Sequence, residues 1–202
     1  IKSYQKAVTI KPDYVEAHLS LGIIYQKLGK LNEAVKSYKT VLEIKPDFAD
    51  AHYSLGVTLQ KLNKLDEAVK SYQKALVIKP EFSEAYNNLG ITLKELGQLD
   101  TALIQYKKAL AINPNYAEAH LNIGLIYQKN GQIDKAIKCY KKSLAIQPNF
   151  ATAHNNLGNI FMSLGQLNNA VESYKIAMGI NPEHAEAHNN HGIALSSVSY
   201  TH

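Results

Sequence analysis

The sequence predicts an all-α solenoid in which antiparallel helix pairs repeat along the chain, and three observations predict it. All six prolines, Pro12, Pro46, Pro80, Pro114, Pro148 and Pro182, fall 34 residues apart. Tyr4, Tyr38, Tyr72, Tyr106, Tyr140 and Tyr174 keep the same step, as do Gly22, Gly56, Gly90, Gly124, Gly158 and Gly192. Between one proline and the next, apolar residues recur at helical spacing in two runs parted by a glycine or asparagine, the pattern of two helices and a turn. A fixed period of this length decides the architecture before any local motif is weighed. One such unit cannot bury its own apolar face and must stack on its neighbours.

With the proline at position 32 of a 34-residue unit, full units run over 15–48, 49–82, 83–116, 117–150 and 151–184. Residues 1–14 are the second half of a unit and 185–202 the first half of another, so that 1–202 reads as a single solenoid domain. Ala17, Leu21, Ile24, Tyr25 and Leu28, at positions 3, 7, 10, 11 and 14 of the first unit, mark the buried stripe of a first helix, A. Position 15 holds Gly29, Gly97, Gly131 and Gly165, with Asn63 in the second unit, all suited to a left-handed helix stop. Helix B follows, burying alanine at position 20 (Ala34, Ala68, Ala102, Ala136, Ala170), tyrosine at 24 and a small or apolar residue at 27. Proline ends it and sets the turn into the next A helix. The glycine at position 8 lies inside helix A and costs about 1 kcal/mol against alanine, which predicts another helix in close approach.

Composition bounds the rest. The content of 46% hydrophobic and 19% charged residues is that of a folded, soluble chain. No apolar run approaches the roughly 18 residues that span a bilayer, and "IKSYQKAVTI" lacks the zones of a secretory signal. The reading is a cytoplasmic protein without membrane insertion, and a start without methionine suggests an excerpt of something longer. Cys139 is the one cysteine, so there is no internal disulfide framework. All 22 basic residues are lysine. Without arginine no bidentate contact to phosphate or guanine can form, and the lysines read as a solvated face of helix B rather than a nucleic-acid site.

The unit "AEAHLNIGLIYQKNGQIDKAIKCYKKSLAIQPNF", from Ala117 to Phe150, resembles the tetratricopeptide repeat (TPR), and the resemblance covers essentially the whole chain. It implies a right-handed α-solenoid, the TPR superhelix, whose A helices line a concave groove. The chain begins with a B helix lacking its A partner and ends with an A helix lacking its B partner. Both ends are expected to expose apolar surface, which suggests head-to-tail self-association.

Opposite the buried stripe of helix A lie positions 2, 5, 6, 9, 12 and 13, the candidate groove lining. Position 6 reads Ser20, Ser54, Asn88, Asn122, Asn156, Asn190; position 5 includes Tyr53, Asn87, Asn155 and Asn189; position 9 includes Asn159. An asparagine amide can match both the donor and the acceptor of a peptide unit, so a column of them suits an extended backbone. The recurrence of "NNLG" at 87–90 and 155–158 looks like the asparagine ladder of O-GlcNAc transferases, which implies main-chain binding by Asn88, Asn122, Asn156 and Asn190. The other reading is that asparagine at position 6 is merely a tolerated polar residue, one that could bond the neighbouring A helix. Ile23, Val57, Ile91, Leu125 and Ile193 at position 9 add an apolar stripe.

Other signals carry less. The acids at position 2 (Glu16, Asp50, Glu84, Glu118, Glu186) sit in the first turn of helix A, where the helix dipole accounts for them, and they argue against the carboxylate clamp of chaperone-tail binders. His18, His52, His120, His154 and His188 at position 4 read as packed rings, while His184, His188 and His191 share a helical face that could capture stray metal without forming a dedicated site. Cys139 reads as an outward-facing bystander. No catalytic constellation, cofactor motif or metal set is expected. The primary functional reading is a non-enzymatic protein-interaction scaffold that binds extended peptide or protein segments in its groove. The alternative is the substrate-recruiting region of a larger glycosyltransferase, and nucleic-acid or anionic-surface binding by the lysine face ranks last.

Overall fold

A computed structural model describes residues 1–199, and its described residues form twelve helices and no strand. Residues 200–202, the end of the last half-repeat and of the tail "SSVSYTH", lie outside the described residues. The chain divides into two compact units, Ile1–Ile112 and Asn113–His202. The first unit holds α1 (Lys2–Ile10), α2 (Val15–Lys27), α3 (Leu31–Ile44), α4 (Ala49–Lys61), α5 (Leu65–Ile78), α6 (Ser83–Glu95) and α7 (Leu99–Ile112). In it every helix packs on the next, and α4 also touches α2 and α6. The second unit holds α8 (Ala117–Lys129), α9 (Ile133–Ile146), α10 (Ala151–Ser163), α11 (Leu167–Ile180) and α12 (Ala185–Ser199), again each on the next, with α12 also on α10. Even-numbered helices are the A helices of the repeat and odd-numbered ones the B helices, an α-solenoid arrangement.

The turns follow the sequence closely. Gly29, Gly97, Gly131, Gly165 and Asn63 all take positive φ, between 57° and 79°. At the end of α2 the Lys30 N–H reaches back to the Tyr25 carbonyl (2.9 Å) and the Gly29 N–H to that of Gln26 (3.2 Å). This Schellman pair satisfies carbonyls that the helix end leaves open, and it recurs after α4, α6, α8 and α10. At the other end the A helices begin after Tyr14, Phe48, Phe82, Tyr116 and Phe150, none of which supplies a side-chain cap. Phe82 packs instead: it is buried against the Tyr53 ring (centroids 4.7 Å apart), with the Lys79 ammonium 4.2 Å from its centroid.

The close approach expected at position 8 is present. A Cβ built on Gly22, Gly56, Gly90, Gly124 or Gly158 would stand 2.5–2.7 Å from Cε1 of Tyr38, Tyr72, Tyr106, Tyr140 or Tyr174 respectively. Each of these rings is buried on its B helix. The glycine is therefore the notch into which the tyrosine of the same repeat fits. Gly192, in α12, has nothing within 4 Å, because no B helix is packed there.

The tyrosine hydroxyls need acceptors once the rings are buried. Tyr38, Tyr72 and Tyr140 donate to Gln26, Gln60 and Gln128 at position 12 (3.0, 3.0 and 2.6 Å). In the fifth repeat position 12 is Met162, which offers no oxygen, and Tyr174 instead donates to Asn159 Oδ1 (2.8 Å). In the third repeat neither Lys94 nor Ile91 can accept, and the Tyr106 hydroxyl has no partner among the described residues.

Two expectations need correction. Leu28 and Leu164 at position 14 are half exposed rather than buried, because they are the C-cap residues, where the chain already swings away toward the left-handed turn. Position 23 of helix B is not outward: Ser37, Ser71 and Ser173 are buried and Cys139 is half-buried. The serine hydroxyls there back-bond to carbonyls one turn earlier, which lets a small polar side chain sit against the neighbouring helix. Burial pushes the Cys139 thiol up, with Lys142 and Lys138 opposing, so it is a poor nucleophile.

Candidate peptide-binding face

The position-5 and position-6 side chains divide by what the preceding A helix offers them. In the first unit Asn88 of α6 donates its amide to the Tyr53 hydroxyl of α4 (3.0 Å). In the second, Asn190 of α12 donates to Asn155 Oδ1 (3.2 Å) and Asn159 Oδ1 (2.9 Å) of α10. Position 6 of one repeat thus reaches positions 5 and 9 of the repeat before it. Asn155, Asn159, Asn190 and the Tyr174 hydroxyl form one network with the two carbonyl oxygens at its centre.

Position 5 is packed between helices rather than open: Asn155 is 0% and Asn87 3% exposed. Tyr53, half-buried, stacks on Phe82, and burial followed by the Glu84 charge raises its phenol pKa. Asn122 and Asn156 at position 6 are each 8% exposed. Ser20, Ser54, Asn88, Asn159 and Asn190 are partly exposed, and Asn189 is exposed.

Asn156 differs from Asn88 and Asn190 for a reason visible in the repeat register. The residue that its amide would meet on α8, at position 5, is Leu121, which has no acceptor. Its Nδ2 accordingly has no partner among the described residues, and the same holds for Asn155 Nδ2. The face in the second unit therefore keeps amide donors that the fold does not use.

The position-4 histidines have a task that sequence reading missed. His18, His52, His120, His154 and His188 each place Nε2 within 2.8–3.0 Å of the carbonyl oxygen of the proline six residues earlier. With a carbonyl as acceptor the Nε2–H must be the donor, so each ring ties helix A to the turn before it. The signal was there to be read, since histidine six residues after proline recurs five times. Of the three C-terminal histidines, His184 and His188 are separately engaged, while His191 Nε2 is buried with no hydrogen-bond partner among the described residues. His184 Nδ1 accepts the Ala187 N–H (3.3 Å) as a cap of α12, His188 bonds Pro182, and His191 occupies the position that is leucine or isoleucine in the full repeats. Among the described residues no group of three His, Cys, Asp or Glu side chains could hold a metal ion, and no helix is long and apolar enough to cross a membrane.

Sequence profiles described as "TPR repeat" match residues 1–29, 27–63, 61–97, 92–131 and 158–197, and others described as "Tetratricopeptide repeat" match 117–150 and 139–172. The chain belongs to the tetratricopeptide-repeat family. No curated protein matches it. Among solved structures, this TPR chain is similar to MamA, at 28% identity and a TM-score of 0.71, over 85% of this chain and 94% of that one. It is similar to TTC0263, a thermophilic TPR protein of Thermus thermophilus, at 26% identity and a TM-score of 0.70, over 90% and 98%. YrrB, described as a TPR protein with an unusual peptide-binding site, shares the fold at 24% identity and a TM-score of 0.69, over 92% and 96%.

Proposed function

We propose that this TPR chain is a protein-interaction scaffold that holds extended peptide segments along its helix-A face, without chemistry of its own. The observation that carries the reading is the Asn156 amide, a buried donor with no acceptor among the described residues. A buried donor left unpaired costs about 1–3 kcal/mol, so a sequence selected for stability alone would place an apolar residue there. On binding, a turn of the amide outward gives it a main-chain carbonyl of the ligand. Main-chain binding is indifferent to ligand sequence.

The test is fluorescence anisotropy with a panel of labelled extended peptides of unrelated sequence. Asn156→Ala is expected to weaken every binder about two- to tenfold, the worth of one neutral hydrogen bond, while leaving thermal stability equal or higher. Unchanged affinity across the panel, or no binding by any member, would refute the reading.

A second element concerns a second copy of the chain. Tyr4 is 41% exposed although its counterparts in full repeats are buried, Ile10 is 74% exposed, and Gly192 is an empty notch of the kind that those tyrosines fill. We propose that Tyr4 of one copy of these 202 residues seats on Gly192 of another, head to tail. Light scattering is expected to show mass rising with concentration, and Tyr4→Glu to abolish the rise. A concentration-independent monomer refutes it.

A further inference from the structure

On the helix-B side of the first unit, α3 and α5 flank a cleft of about 790 Å³ whose floor is His52 and Leu55 of α4. In this floor His52 Nε2 bonds the Pro46 carbonyl (2.9 Å). In the next repeat the same position carries the bulkier Tyr86, with the Lys108 ammonium 5.5 Å from its ring centroid. The walls include Leu42, Val77 and Ile78. Val77 is 82% exposed at position 29, where the other full repeats have Glu43, Ala111, Ala145 and Gly179. A β-branched apolar residue held in water on a helix gains nothing for the fold.

The charges around this apolar strip are ordered. Lys39 of α3 and Lys70 and Lys74 of α5 line the middle of the cleft, are exposed, and make no ion pair within 4.0 Å among the described residues. Glu43 and Asp47 lie at the end of α3. The middle therefore asks for negative charge and one end rejects it. A polyanion of uniform charge does not match, whereas a short amphipathic segment does.

We propose that this cleft docks an amphipathic helix of a partner protein, its apolar side chains against Leu42, Val77 and Ile78 and its acidic side chains toward Lys39, Lys70 and Lys74. The volume suits two or three anchoring side chains, and a trough between two helices is the shape that helix-in-groove recognition uses. This surface is separate from the helix-A face, so one chain can hold two ligands.

The test uses the whole chain and a fluorescein-labelled amphipathic peptide of about four helical turns, with leucine on one face and glutamate elsewhere, beside its lysine-for-glutamate counterpart. The glutamate peptide is expected to bind saturably and the lysine peptide at least about tenfold more weakly. Val77→Asp, and separately Lys70→Glu with Lys74→Glu, are expected to cut the affinity about tenfold, while Asn156→Ala leaves it unchanged. All three cleft substitutions are at exposed positions, so circular dichroism should report an intact fold. No saturable binding, equal binding of both peptides, or affinity unmoved by Val77→Asp would each overturn the proposal. So would a single-stranded oligonucleotide whose binding is lost with the lysines but kept in Val77→Asp.

Discussion

Replacing Gly124 by alanine places a Cβ 2.5 Å from Tyr140 Cε1 and 2.7 Å from Cδ1. No carbon pair tolerates that distance, so the ring or the helix must move. The ring has little freedom: it is fully buried in a cluster with Leu121, Ala136, Ala153 and Ile160, and its hydroxyl is held by Gln128 at 2.6 Å. Overpacking of this kind costs about 1–3 kcal/mol, and displacing the ring adds about 1 kcal/mol for the bond to Gln128. Alanine returns about 1 kcal/mol through helix propensity. The expected net effect is destabilisation by about 1–3 kcal/mol. Gly192→Ala supplies the internal control, because nothing lies within 4 Å and only the propensity gain applies. Urea denaturation followed by far-UV circular dichroism, at protein concentrations too low for association, compares the two variants with the parent. Gly124→Ala should unfold earlier and Gly192→Ala at the same midpoint or slightly later. A Gly124→Ala variant as stable as the parent would refute the claim that glycine is there for the tyrosine.

The orphan hydroxyl of Tyr106 predicts an asymmetry: Tyr106→Phe should be neutral or stabilising, Tyr140→Phe destabilising by about 1 kcal/mol, and Lys94→Gln stabilising by a similar amount, all by thermal melts. Burial raises the phenol pKa of Tyr38 to about 12 and those of Tyr72, Tyr106, Tyr140 and Tyr174 as well. Stability from these groups is whole below about pH 10 and is lost as pH rises through their folded values. Absorbance titration should therefore show these buried tyrosines ionising only with unfolding. Burial holds the His52 imidazole below its usual value, and Lys74 adds to this while the Pro46 carbonyl and Asp47 oppose it. Its contribution is present above about pH 6.5 and lost as pH falls through the lower folded value, so His52→Gln should flatten the stability profile in that range.

The repeat, its turns and its glycine–tyrosine contacts were legible because each depends on one residue type at a fixed interval. Gly29 and Asn63 announce a left-handed turn through backbone sterics alone, and Gly22 announces a close neighbour by its own cost in a helix. The helix-A face was legible only in part. Whether an asparagine at position 6 is used by the fold depends on position 5 of the repeat before it, a pairing across helices that 3.6-residue periodicity does not contain. Tyr53 accepts from Asn88, Asn155 from Asn190, and Leu121 from nothing, so identical residues in one column meet different surroundings. The narrower likeness to glycosyltransferase repeats rests on that column alone. The cleft between α3 and α5 was not legible, since position 4 is histidine in four of the five full repeats and the periodicity does not single out His52.

The glycine–tyrosine notch also bears on how such a chain folds. Its partners are sixteen residues apart, as in Gly22 and Tyr38, and belong to one hairpin. This contact is therefore local in sequence and closes only a short loop, so it can form without waiting for any distant segment. Helix pairs of this type can condense independently at several points, and growth then proceeds from whichever pair is first. An added repeat brings its own notch and its own ring, and for that reason an array can lengthen by duplication without slowing the search of the repeats already present.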